Sequence, residues 1–74
     1  MLIVGDDFAV VYENVCDFTI ENCSKAYGVF MGEIFAHMNN GDKVSLGAYE
    51  NQEEAQNVIK AIGNASKTVN VYNL

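Results

Sequence analysis

The chain holds one histidine, His37, and two cysteines, Cys16 and Cys23, the residues to weigh first for a Cys–His nucleophile or a zinc site. A Cys–His nucleophile needs the thiol within hydrogen-bond reach of the imidazole, together with donors for an oxyanion. Nothing in the spacing supplies either, and His37, with Glu33 four positions before it on the same strand face, reads as a surface or structural residue. Cys16 and Cys23 lack the C-x-x-C spacing of a zinc site. Free thiols are the default for them, and a Cys16–Cys23 disulfide is the alternative. Asp6-Asp7 could face a hard cation, but calcium takes six to eight oxygens from an ordered loop, so a solvated turn is the better reading. No phosphate loop is present: Gly28 and Gly32 lie inside an apolar stretch, and no GK[ST] follows them. Glu53 and Glu54 would repel an anion at the start of the helix that follows Asn51. The expectation is a non-enzymatic protein with no metal and no cofactor.

Composition narrows the partners. Seventy-four residues make one domain, and half of them are hydrophobic, more than so small an interior can hide. The excess implies an interface with a copy or a partner. Ten acids against four lysines give a net charge of −6, with no arginine. Direct nucleic-acid binding, which draws its affinity from neutralising phosphates, is therefore disfavoured. The acidity serves either solubility or attraction to a basic protein surface. No run is long enough to span a membrane, and the N-terminus lacks the basic region of a secretory signal, so a cytoplasmic location is expected.

The positioning elements can be read along the chain. Leu2-Ile3-Val4 is a short strand ended by the Gly5-Asp6-Asp7 turn. Residues 8–12 are apolar at both parities and read as a central strand or one covered on both faces. Residues 16–21 alternate, with Cys16, Phe18 and Ile20 inward and Asp17, Thr19 and Glu21 outward. Residues 26–38 read as one bent strand or two short ones meeting near Gly32. Asn39-Asn40-Gly41-Asp42 is a hairpin turn. A two-residue loop would set Ile34 against Gly47 and Ala36 against Ser45. A three-residue loop with Gly41 left-handed would set Ile34 against Leu46 and Ala36 against Val44. The second gathers the apolar residues on one side and is preferred; it leaves Phe35, His37 and Tyr49 together on the other. Asn51 is a helix N-cap with Glu54 three residues on. Ala55, Val58, Ile59, Ile62 and Ala65 form one stripe, ending at Gly63-Asn64 or at Lys67. A helix this short must dock, and the Ile34/Ala36/Val44/Leu46 face is its seat. Residues 68–72 form a last strand. The fold expected is α+β: a curved, mostly antiparallel sheet of five or six short strands with one C-terminal helix on one face.

The stretch from Gly41 through Leu46, Gly47, Tyr49, Asn51, Glu53 or Glu54 to Ala55 follows a G-x-x-x-x-LG-x-Y-x-(S/T/N)-x-E-x-A pattern. With the apolar start MLIV, the ENV turn and the terminal VYNL, the chain resembles short proteins of unknown role from low-GC Gram-positive bacteria and their phages. The motif is structural and carries no catalytic residue. The resemblance implies a context, that of a phage or mobile-element accessory protein.

Two features remain as candidate binding surfaces. Asp17 and Glu21 make a ladder of negative charge that either meets a basic partner or protects an edge strand from aggregation. Tyr27, Val29, Met31, Phe35 and Tyr49 on the face away from the helix form either an interface core or a second internal layer. The function expected is a small acidic protein-binding module, an anti-CRISPR-like inhibitor of a host defence system that occupies a basic partner surface through Asp17, Glu21, Tyr27, Met31, Phe35 and Tyr49. The alternatives are a homo-oligomer that holds a small ligand between subunits and a purely structural accessory subunit.

Overall fold

The computed structural model describes residues 1–22 and 32–74. Strand β1 (Leu2–Val4) turns at Gly5 into β2 (Ala9–Val11). A single 3-10 turn, Tyr12–Asn14, leads to β3 (Val15–Asn22). The hairpin β4 (Gly32–Met38) and β5 (Lys43–Tyr49) follows, then helix α1 (Gln52–Ala65) and β6 (Val71–Asn73). The α+β class with six short strands and one C-terminal helix is as the sequence implies.

The sheet is not one curved layer. It is two three-stranded sheets, β2-β1-β6 and β3-β4-β5. The Tyr12–Asn14 turn of 3-10 geometry is where the chain passes from the first sheet to the second. β2 is an edge strand rather than a central one, with Ala9 and Val11 exposed and only Val10 buried. The apolar parity of residues 8–12 therefore misleads: Phe8 lies before the strand, where its ring sits against the α-carbon of Gly5 and fills the space a side chain there would need.

β1 and β6 are parallel, joined by Leu2 N–H to Asn70 O (2.7 Å) and Leu74 N–H to Val4 O (2.8 Å). This pairing puts both chain ends in one sheet. One buried cluster then draws on both sheets and the helix: Ile3 and Val10 from the first, Ile34, Ala36 and Leu46 from the second, Ala55 and Ile62 from α1.

Local chemistry accounts for the helix. Asn51 has extended backbone angles, and its side-chain oxygen accepts the Glu54 N–H at 2.7 Å. Ala55 and Ile62 are buried, with Val58, Ile59 and Ala65 half-buried beside them. The helix runs through Gly63 and ends at Ala65, where the Ser66 hydroxyl donates to Gly63 O at 2.6 Å. Gly32 lets the helix start approach β4: a β-carbon there would lie 3.2 Å from Ile20 Cγ2 and 3.4 Å from Ala55 Cβ.

Candidate functional site

The outer side of the β3-β4-β5 sheet carries Asp17, Glu21, Glu33 and Lys43 together with Phe35 and His37. Along β3 the alternation holds from Asp17 on: Phe18 pairs with Ala36 and Ile20 with Ile34 toward the helix, while Asp17 pairs with His37, Thr19 with Phe35 and Glu21 with Glu33 on the outer side. Cys16 departs from the expected parity. A bulge between Val15 and Asp17 leaves it as the extra residue, exposed, with Sγ 2.8 Å from Asn39 Oδ1. It is a free thiol, and Cys23 lies outside the described residues.

The hairpin realises both registers that the sequence offers. Gly41 is left-handed (φ 95°), Met38 N–H bonds Asp42 O at 2.8 Å, and Ala36 faces Val44, as a three-residue loop requires. Beyond Phe35 the register shifts, and Ile34 faces Gly47. The added residue is Leu46, and Gly47 takes φ 116° to make room for it. A slip of one reverses every later side chain. Tyr49, expected beside Phe35 and His37, instead pairs with Gly32 on the helix side and packs against the core. Its phenol is raised above the ordinary value by burial first, then by neighbouring Tyr72 and Glu54.

Of the residues singled out from the sequence, the structure brings Asp17, Glu21 and Phe35 onto one surface and sends Tyr49 to the other. Tyr27, Val29 and Met31 lie outside the described residues. Sequence reasoning missed Lys43, which crosses the whole sheet: its ammonium sits 4.2 Å from the centre of the Phe35 ring and 2.6 Å from Glu21 Oε2. The three-residue turn already implies this placement, because it sets Lys43 opposite His37 and next to Phe35. The pair is exposed at both ends and contributes on the order of 0–1 kcal/mol. Around it, Ser45 donates to Glu33 Oε2 at 2.6 Å, and the Thr19 hydroxyl lies 2.7 Å from His37 Nε2.

Among the described residues this surface presents the carboxylates of Asp17, Glu21 and Glu33 and the ammonium of Lys43 around a half-buried aromatic ring. His37 has a hydroxyl for its partner rather than a thiol, and Cys16 sits in the bulge bonded to Asn39. Among the described residues no group of three or more His, Cys, Asp or Glu side chains is arranged to hold a metal ion.

A cleft of about 290 Å³ lies where the β1–β2 turn meets the β5 bulge, lined by residues that include Asp6, Asp7, Phe8, Gly47, Tyr49 and Leu74. Its volume is at the bottom of the range used by small-molecule sites. Among the described residues no helix is long and apolar enough to cross a membrane. Compared with known protein families, with curated proteins and with solved structures, the chain matches none.

Proposed function

We propose that the chain is a small, acidic, non-enzymatic protein-binding module of phage or mobile-element type, acting in the cytoplasm as an inhibitor that occupies a basic surface on a host defence protein. The observation that supports this reading is the convergence of Asp17, Glu21 and Phe35 on one side of β3 and β4, a side that no described element covers. Phe35 supplies the apolar contact, and Asp17, Glu21 and Glu33 supply the charge. Lys43 is the adaptable part. When a basic partner approaches, its exposed ammonium can leave Glu21 at a cost of about 1 kcal/mol or less, freeing a carboxylate for a guanidinium or ammonium of the partner. The phage context rests on the sequence resemblance.

The test is a double charge reversal, Asp17→Lys with Glu21→Lys. Both residues are exposed and point away from the core, so the variant should stay folded, its melting temperature lowered only by the loss of the exposed Lys43–Glu21 pair. Proteins captured from host lysate on the immobilised parent chain should be lost on the variant, and the captured set should be dominated by basic proteins. Capture that is unchanged on the variant would remove the charge half of the proposal.

A further inference from the structure

Lys43 takes an indirect path across the β3-β4-β5 sheet. The register sets it opposite His37, which is itself opposite Asp17, so these three share one row of the outer side. The next row holds Thr19, Phe35 and Ser45, and beyond it Glu21 stands opposite Glu33. The carboxylate in the row of Lys43 is therefore Asp17. Its ammonium goes to Glu21 instead, reaching Oε2 at 2.6 Å while it lies 4.2 Å from the centre of the Phe35 ring. To do so a side chain on β5 spans two strand spacings, about 10 Å. It gives up the rotamer freedom of a long side chain for one exposed carboxylate. Two observations account for the detour. An aromatic face attracts a cation held within about 6 Å of its centre. Glu21 and Glu33 are like charges directly opposite each other, an arrangement that destabilises the sheet unless a cation sits beside them. Ring and carboxylates together thus make one place where positive charge is held.

We propose that the Phe35 ring and the Glu21 carboxylate form a seat for an arginine side chain of the protein partner, and that Lys43 fills it in the free chain as a built-in competitor. The seat rests on the reading of this side as the surface that meets a basic protein. Chemistry favours arginine over lysine as the incoming group. A guanidinium is planar, so it stacks on a ring while its edge presents two N–H groups to a carboxylate, and it sheds water more readily than an ammonium. The chain itself contains no arginine, so its own occupant is the weaker of the two. Glu33 flanks the seat with Oε2 accepting the Ser45 hydroxyl at 2.6 Å, and its charge adds to the field there. An incoming arginine that displaces Lys43 takes over the neutralisation of both glutamates, so the exchange leaves neither carboxylate without a cation.

The experiment is a titration of the full chain at low salt, followed by NMR, with a capped oligo-arginine peptide and with an oligo-lysine peptide of the same length. In the free chain the Phe35 ring current shields the ε-methylene protons of Lys43. Binding of the arginine peptide should move those protons to the position of a solvated lysine. Lys43→Met empties the seat and should tighten arginine-peptide binding roughly two- to five-fold relative to Lys60→Met. Lys60→Met is the control, since it removes the same charge from an exposed position on α1. Phe35→Leu keeps an apolar side chain without the ring and should abolish the preference for arginine over lysine. If it fails to fold by circular dichroism, the Lys43→Met and Lys60→Met pair carries the test. The peptides require no host protein, so a lysate capture that ignores the Asp17→Lys, Glu21→Lys reversal removes the partner reading alone. Binding by Lys43→Met no tighter than by Lys60→Met, Lys43 resonances unmoved as the arginine peptide binds, or a lysine peptide bound by the parent as tightly as the arginine peptide would each overturn the seat.

Discussion

Replacing Gly47 by alanine isolates the cost of the bulge that turns Tyr49 toward the helix. A β-carbon at Gly47 would meet no atom within 4 Å, so the substitution introduces no clash. The whole penalty is in the backbone, which sits at φ 116°, a region that residues with a side chain rarely adopt. Holding alanine there costs about 1–3 kcal/mol, which exceeds the roughly 0.4–1 kcal/mol that alanine contributes by restricting the unfolded chain. In a domain of this size each kcal/mol moves the melting temperature by about 4–8 °C. Gly63 provides the contrast: it too has nothing within 4 Å, but it lies in the helix, where alanine is favoured by about 0.8–1.0 kcal/mol. Urea unfolding of the two single variants should therefore show shifts of opposite sign in the midpoint, with unchanged slope. If Gly47→Ala proved neutral or stabilising, β5 would have to continue without its bulge. Leu46 would then face Ile34, and Tyr49 would return to the Phe35 side.

Two further outcomes follow from the helix and from Tyr49. Asn51→Ala removes the bond to the Glu54 N–H and should cost about 1 kcal/mol in the same urea assay, whereas Asn51→Ser should recover most of it. The phenol of Tyr49 has its pKa raised above 10.0, chiefly by burial. Its contribution to stability is therefore complete below the unfolded value and is lost as pH rises through the folded one. Tyr49→Phe should flatten the alkaline fall in melting temperature relative to the parent, and an unchanged alkaline limb would place Tyr49 in solvent.

The features legible in the residues are those set within a few positions of one another. The Asn51 cap, the Ala55/Val58/Ile59/Ile62 stripe, the left-handed Gly41 and the outward parity of Asp17, Thr19 and Glu21 each depend on contacts inside one turn of helix, one hairpin loop or one strand. The helix seat was legible by matching two such local patterns, the apolar stripe and the apolar strand face: Ile34, Ala36 and Leu46 share the buried cluster with Ala55 and Ile62, and Val44 packs against it.

Tertiary structure decided the rest. The sequence permits two hairpin registers, and the chain uses both, because a glycine in a left-handed bulge lets Leu46 fill the core while Ile34 advances to Gly47. That choice, made by packing rather than by propensity, moved Tyr49 from the candidate surface to the core. The division into two sheets follows from the pairing of β1 with β6, which lie at opposite ends of the chain and are too short to signal a partner by their own pattern. Composition alone established an acidic chain with more apolar side chains than its interior can hold. Where that surplus emerges was decided by this long-range pairing, which aligned Val11, Leu2 and Val71 on one side of the β2-β1-β6 sheet.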